Sequence, residues 1–378
     1  MLVDATAVPP DRGGVGRYVD ELLPRLVAAG TDLVVVCQPR DEAHYASLLP
    51  GVPLHLAPAA VARRPVRLLW EQVALPLLAR RVRADVLHCP HYTLPLGTRV
   101  PVVVTLHDAT FFTHPEVHSA VKRRFFRAWS RLSLRRARLC VVPSQATLTE
   151  LTREAGARRE RVTVAHLGVD TTTFHVPDAA EVAAVRDTLG IGGRDYVAFL
   201  GTLEPRKNVP ALVRAWTTAC RDRSEPPALV LAGGRGWDDG VDPAIADVPP
   251  HLQVVRPGYL PLEQLAGFLG GARVVAYPSL GEGFGLPVLE AMACGAPVLT
   301  TRVLSIPEVA GDAAAYSGTA PEEIAGELAR LLDDPARRAE LSAAAGRRAA
   351  QFTWEDCARI HRAVYARATA DEPAGGNA

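Results

Sequence analysis

Short β-branched and apolar runs recur along the whole chain between longer amphipathic segments, and few architectures accommodate that alternation. In the front half the clearest runs fall at 33–37, 101–105 and 139–142; in the back half they fall at 196–201, 228–232, 254–255, 274–277 and 297–300. Several are apolar at every position. A strand with one wet face alternates, so an unbroken apolar strand must be covered on both faces, as in a parallel sheet flanked by helices. The predicted fold class is α/β, and 378 residues exceed one ordinary core. Two doubly wound sheets follow: a first domain over 1–172 and a second over 194–352, with a linker over 173–193 that includes Pro177-Asp178 and Gly192-Gly193. Beyond Ala313 the pattern turns helical, over 321–333 and 335–351. A closing helix from 353 to about 367, within a last segment 353–378, leads into an Ala-, Gly- and Pro-rich tail expected to fray.

Hydrophobic residues at 48% and charged residues at 22% fit a globular chain that buries two cores. The net charge of +1 argues against a general nucleic-acid binder, but the charge is unevenly spread. Residues 1–170 hold 23 Lys and Arg against 15 Asp and Glu, so the front half is basic and the rest acidic. A basic front half suits an anionic partner such as a membrane surface or a phosphate-bearing acceptor. The six cysteines lie far apart with no Cys-x-x-Cys pair, which reads as reduced, buried thiols. The opening Met1-Leu-Val-Asp-Ala has no signal-peptide pattern and no apolar run reaches spanning length, so a cytoplasmic location is expected.

The most informative stretch is Tyr277-Pro-Ser-Leu-Gly-Glu-Gly-Phe-Gly-Leu-Pro-Val-Leu-Glu-Ala-Met-Ala-Cys-Gly295. An apolar strand runs into a glycine loop, and a helix follows with Pro287 in its first turn and Gly295 at its end. Glycines at 281, 283 and 285 let backbone N–H groups approach a ligand, and the helix N-terminus adds roughly half a positive charge. Glu282 in the loop and Glu290 one turn into the helix can each accept a pair of sugar hydroxyls. The plain alternative makes Glu282 a loop cap and Glu290 a solvated helix residue.

A second anion site is expected in Gly201-Thr-Leu-Glu-Pro-Arg-Lys-Asn208, where Asn208 suits an N-cap and Pro210 a first helical turn. Arg206 and Lys207 then sit at a helix N-terminus, and Lys207 is one of only two lysines in the chain. Charge-assisted hydrogen bonds of roughly 1.5–3 kcal/mol each let such a pair stabilise a departing diphosphate without a metal. The plain alternative is an exposed basic turn. Gly236-Trp-Asp-Asp-Gly240 reads as a polar turn, and no metal ligand or cofactor is expected.

These residues resemble the retaining glycosyltransferases of family 4. The likeness runs through Gly13-Gly-Val-Gly-Arg17, His107-Asp108, Pro143-Ser144, His166-Leu-Gly-Val-Asp170, Arg206-Lys-Asn208 and Gly258-Tyr259 to the Glu282 and Glu290 motif. It implies the GT-B fold, two Rossmann-like domains facing each other across a cleft. It also implies a nucleotide-diphosphate sugar as donor. By position, Glu290 would hold the ribose and Glu282 would face the transferred hexose. Gly283, Phe284, Gly285 and Leu286 would offer backbone N–H groups, Arg206 and Lys207 would hold the diphosphate, and Gly258, Tyr259 and Leu260 would meet the base. His107 would reach the sugar, and Gly14 and Gly16 would line the opposite domain. For His107 the alternative is a bond to a neighbouring backbone group. His88 and His91 are further candidates beside a strand end. Val19 in the third glycine position removes a dinucleotide fingerprint, which disfavours an oxidoreductase.

The resemblance further implies retention of configuration, through a same-face displacement or a double displacement on Glu282. Trp70-Glu-Gln72 and His107-Asp-Ala-Thr-Phe111 look like those of polysaccharide and lipopolysaccharide mannosyltransferases. The expected function is therefore transfer of mannose from GDP-mannose to a saccharide or lipid-linked acceptor. UDP-glucose and dTDP-rhamnose remain alternative donors, a glycogen-synthase-like enzyme an alternative transferase, and a GT-B sugar-nucleotide epimerase a different class. Residues 118–138 mix eight basic residues with Phe125, Phe126 and Trp129. They read either as an interfacial helix making a peripheral membrane contact or as a domain helix with its aromatic face inward.

Overall fold

A computed structural model describes residues 1–10 and 12–370, which form two compact α/β units. The first is built on seven parallel strands: β1 (Leu2–Asp4), β2 (Val34–Cys37), β3 (Leu54–Leu56), β4 (Leu87–Cys89), β5 (Val102–Thr105), β6 (Leu139–Val142) and β7 (Val162–Val164). Their order is β3-β2-β1-β4-β5-β6-β7. The helices between them are α1 (Gly13–Ala28), α2 (Glu42–Leu48), α3 (Arg64–Arg81), α4 (Thr110–Thr113), α5 (Ala120–Arg136) and α6 (Gln145–Ala155). β5 and β6 are buried at every position, as their apolar runs require, and β4 is buried throughout as well although His88 stands at its centre.

The second unit carries β8 (Tyr196–Leu200), β9 (Ala228–Ala232), β10 (Val254–Gly258), β11 (Val274–Tyr277), β12 (Val298–Thr301) and β13 (Ala315–Ser317), in the order β10-β9-β8-β11-β12-β13. Its helices are α7 (Ala179–Leu189), α8 (Val209–Cys220), α9 (Val241–Ala246), α10 (Leu265–Gly270), α11 (Leu286–Ala293), α12 (Ile306–Ala310), α13 (Pro321–Asp333) and α14 (Pro335–Ala349). The chain then enters α15 (Trp354–Thr369), which belongs to the first unit and packs on α1.

Both strand orders reverse direction once, between β1 and β4 and between β8 and β11. In open parallel sheets such a switch point parts the loops at the strands' carboxyl ends, and ligands bind there. Each unit therefore has one preferred site, fixed by topology before any side chain is considered.

Three sequence expectations are corrected here. The segment 173–193 is not a linker: the first unit ends at Gly168 and the second starts at Val169. Asp178 and Glu181 close a capping box on α7, whose far end stops at Gly190 in a left-handed turn. The region after Ala313 is not purely helical, because Ala315–Ser317 adds an edge strand beside β12. Asn208 does not cap α8 with its side chain; it sits at φ 58°, and its amide donates to the Thr319 carbonyl at 2.9 Å. Most of the expected tail, residues 371–378, lies outside the described residues.

Candidate active site

At the switch point of the second sheet, the loop after β8 and the loop after β11 are tied together by backbone. Leu280 N–H donates to the Arg206 carbonyl at 2.8 Å, and the Arg206 guanidinium donates to the Gly281 carbonyl at 2.7 Å. This cross-link brings Arg206, Lys207 and Glu282 into one buried cluster. The Lys207 ammonium donates to Glu282 Oε1 at 2.7 Å and to the Tyr277 hydroxyl, while Arg206 Nη1 pairs with Glu282 Oε2. Tyr277 and Ser279 hydroxyls lie 3.0 and 2.8 Å from the same Oε1. Four side chains thus engage one carboxylate. Arg206 also lies 3.5 Å from the half-buried Glu204, so both cations already face carboxylates.

Burial works to raise the Glu282 pKa, but Arg206 and then Lys207 outweigh it and hold the group at about 2. Burial lowers the Lys207 pKa, helped by neighbouring Arg206 and opposed by Glu282. Tyr277 is pushed well up by burial and by the Glu282 charge, so it stays a neutral donor.

The glycine loop is pinned from the other side by β12. Thr300 and Thr301 hydroxyls donate to the carbonyls of Tyr277 and Ser279, and Ser305 lies within hydrogen-bond reach of the Glu282 and Phe284 carbonyls at 2.8 and 2.9 Å. Gly285 starts α11 at φ 104°, a backbone conformation that strains any other residue, and a Cβ there would also press on the terminal methyl of Ile306 at 2.7 Å. Glu290 is 5% exposed on α11, which excludes the solvated-helix alternative. Gly258 ends β10 with φ 78°, Tyr259 beside it is largely exposed and Leu260 half-buried.

At the switch point of the first sheet the glycines prove to be helix rather than loop: α1 begins at Gly13, placing Gly14 and Gly16 in its first turn. A Cβ on Gly16 would stand 2.4 Å from Arg12 Cβ, which explains that glycine. Arg12, at φ 52°, holds Asp20 at 2.7 Å and Asp41 at 3.1 Å and thereby shapes the turn into α1. His107, just after β5, is half-buried and bonds the Pro90 carbonyl at 2.6 Å through Nε2. A carbonyl only accepts, so Nε2 carries the proton and Nδ1 is the acceptor face. The alternative foreseen for His107, a bond to neighbouring backbone, is therefore present, and it fixes the ring's tautomer. Burial holds the His107 pKa down. His91 is pushed down to about 3 by burial and by the charges of His107 and Arg67.

His88 needs correction: it is fully buried and belongs to a chain of hydrogen bonds beneath His107. His361 Nδ1 donates to the Cys357 carbonyl at 2.8 Å, and burial lowers the ring's pKa to about 4, so its Nε2 is bare at neutral pH. The Tyr18 hydroxyl, 2.7 Å away, must then donate to it. Tyr18 accepts from Thr105 at 2.9 Å, Thr105 accepts from His88 Nε2 at 2.9 Å, and His88 Nδ1 accepts from Tyr365 at 3.0 Å. Every proton has one place. The chain leaves α15 at Tyr365 and returns to it at Cys357, and the Tyr18 ring stands edge-on to His107 with centroids 5.0 Å apart. Sequence reasoning missed Tyr18, Thr105, His361 and Tyr365 in this unit, and Tyr277, Ser279 and Ser305 in the other. Only the Tyr277-Pro-Ser279 lead into the glycine loop offered a local signal.

The basic segment forms α5, with Phe126 and Trp129 packed against the core, so the domain-helix reading holds for its aromatic face. All six cysteines are buried and free. Among the described residues no group of three His, Cys, Asp or Glu side chains is placed to hold a metal, and no helix is long and apolar enough to cross a membrane.

Comparison with known proteins agrees with this geometry. Residues 12–173 match the family described as Glycosyltransferase Family 4, and residues 183–348 match Glycosyl transferases group 1. The chain is 30% identical to the O-antigen chain mannosyltransferase B of Escherichia coli over 91% of its own length and 93% of that protein's. It is 29% identical to the GDP-mannose-dependent alpha-(1-6)-phosphatidylinositol monomannoside mannosyltransferase of Mycolicibacterium smegmatis over 94% of each. The Anabaena protein HepE, solved in complex with UDP-glucose, superposes with a TM-score of 0.76 at 18% identity, covering 97% of this chain and 98% of that one, which shows the GT-B fold. With both of its halves matched and a mannosyltransferase relative spanning nearly its whole length, the chain belongs to the family 4 glycosyltransferases of the GT-B fold.

Proposed function

We propose that this hexosyltransferase moves mannose from GDP-mannose to a saccharide or lipid-linked saccharide, with retention of configuration. The observation that carries the reading is the cluster of Arg206, Lys207 and Glu282 at the β8 and β11 switch point. A departing diphosphate gains negative charge, and two cations held there by protein dipoles and a carboxylate are ready without reorganisation. Arg206, whose side chain is 16% exposed against 9% for Lys207, is the cation that meets phosphate first.

The state of Glu282 supports the same-face route over double displacement. A nucleophile needs an oxygen with available electron density, whereas this carboxylate receives four donors and holds its proton only below about pH 2. Its place is to hold the cations and accept from the sugar's hydroxyls. On this reading a donor phosphate oxygen takes the acceptor's proton, and His107 offers its Nδ1 to a sugar hydroxyl. Glu290, buried on α11, holds the ribose, and Gly283, Phe284, Gly285 and Leu286 supply N–H groups. The exposed Gly14 opens the first turn of α1 to the ligand, Gly16 lets Arg12 close against that turn, and the backbone of Gly258, Tyr259 and Leu260 meets the base.

The mannose donor rests on the two mannosyltransferase relatives, one of them named for GDP-mannose. Incubation with GDP-mannose, UDP-glucose and dTDP-rhamnose, reading nucleotide release with and without acceptor, tests it. Fastest acceptor-dependent release from GDP-mannose, unaffected by EDTA, with an α-linked product by NMR, is expected. Faster release from UDP-glucose overturns the donor, and sugar isomerisation without acceptor overturns transfer.

A further inference from the structure

We propose that the first unit docks on an anionic lipid surface through the outer face of α3, and not through α5. The basic residues of α5 are partly turned onto its own domain. Arg127 donates to the Phe111 carbonyl at 2.6 Å, and the guanidinium groups of Arg127 and Arg131 lie 5.5 and 5.0 Å from the centre of the Phe112 ring. With Phe126 and Trp129 also facing the core, α5 keeps Val121 as its one large, strongly exposed apolar side chain, too little for a lipid-facing stripe.

α3 has the opposite character: it is apolar on both sides. Leu75 and Ala79 are fully buried inward, and the one carboxylate of the helix, Glu71, is buried against Arg67 and Thr93 at 2.7 and 2.6 Å. Outward stand Leu69, Val73 and Leu77, exposed by 66, 58 and 60%. A spacing of four residues puts them in one stripe about 12 Å long. Gln72 accepts from Leu96 N–H at 3.0 Å and so holds the exposed Leu96 beside the same helix.

The rim selects the partner. Arg63 and Arg64 open the helix, Arg80 and Arg81 close it and Arg83 follows; all five are exposed, and none has a carboxylate partner among the described residues. Asp85 is the only exposed acid close to them in sequence. A second copy of the chain on this face would bring two such sets of arginines together, which repels. An anionic membrane attracts them while the stripe enters the boundary between headgroups and acyl chains, each arginine multiplying affinity by about five-fold. Docking of this kind concerns where the chain sits and does not depend on the donor or acceptor proposed above.

Sedimentation of the full chain with vesicles of phosphatidylcholine, with and without phosphatidylglycerol, tests the assignment. The wild-type protein is expected to bind only the anionic vesicles. Leu69→Gln with Val73→Gln and Leu77→Gln, and separately Arg80→Gln with Arg81→Gln, are expected to weaken that binding at least about ten-fold. Arg124→Gln with Arg135→Gln and Arg136→Gln on α5 is expected to leave it within about two-fold. Glutamine favours helix, and unchanged melting temperatures confirm that each variant is folded. Absence of wild-type binding, equal binding to neutral vesicles, or an equal loss from the α5 variant overturns the proposal. So does a wild-type dimer in lipid-free solution that the triple glutamine variant splits.

Discussion

The two switch points bury polar groups in opposite ways. In the second unit the cluster is ionic, and the cations hold the Glu282 carboxylate charged against the pull of burial. In the first unit it is neutral: burial is the largest influence on the histidines, which stay uncharged and pass one directed series of hydrogen bonds from Tyr365 to the Cys357 carbonyl. The ionic cluster sits in loops at strand ends, where charge can be exchanged with a ligand. The neutral one lies beneath the strand ends and ties α15 to β4, β5 and α1, setting the floor on which His107 rests.

The largest test of this contrast removes the centre of the ionic cluster. Glu282→Gln leaves Lys207 and Arg206 buried without their shared counter-charge, and a loss of about 3–5 kcal/mol is expected in urea unfolding. Adding Lys207→Met should restore part of it; an additive double variant denies the coupling. In the first unit Tyr18→Phe should cost about 2–3 kcal/mol, because it strands both the His361 acceptor and the Thr105 donor.

Acid should separate the two clusters. His361 titrates near 6.5 unfolded and about 4 folded, so its contribution is complete above pH 6.5 and fades as the pH falls towards 4. That amounts to about 2 kcal/mol lost by pH 5. Glu282 goes from 4.5 to about 2, so its contribution persists above pH 4.5 and fades only as pH falls towards 2. Acid titration followed by the fluorescence of Trp354 in the first unit and Trp216 in the second, each as the sole tryptophan, should show the first unit yielding earlier. Simultaneous loss, or the second unit first, breaks the comparison. The smallest effect is expected from Tyr365→Phe, about 1 kcal/mol, since only the terminal donor is removed.

The same contrast explains what the sequence revealed. Both sheets were legible because strands such as 139–142 and 228–232 are apolar throughout, and three-residue strands such as Leu54–Leu56 were not, being too short to show a pattern. Glu282, Arg206 and Lys207 were found because ligand-facing loops concentrate glycine and charge in local motifs. That the cations grip Glu282 itself was hidden, since Lys207 lies 75 residues from it and Arg206 one further. Tyr18 and His361 are 343 residues apart, and each alone reads as an ordinary core residue. The outer stripe of α3 escaped notice because a helix apolar on both sides shows no periodic contrast.

The central claim is that the ionic cluster, not the neutral one, receives the donor's diphosphate. Calorimetric titration of GDP and of guanosine into the wild-type protein, Arg206→Gln and His107→Gln tests it most directly. The account predicts that Arg206→Gln weakens GDP binding by about 10- to 100-fold and leaves guanosine unchanged, while His107→Gln affects neither. GDP binding that survives Arg206→Gln intact, or that falls equally with His107→Gln, contradicts it.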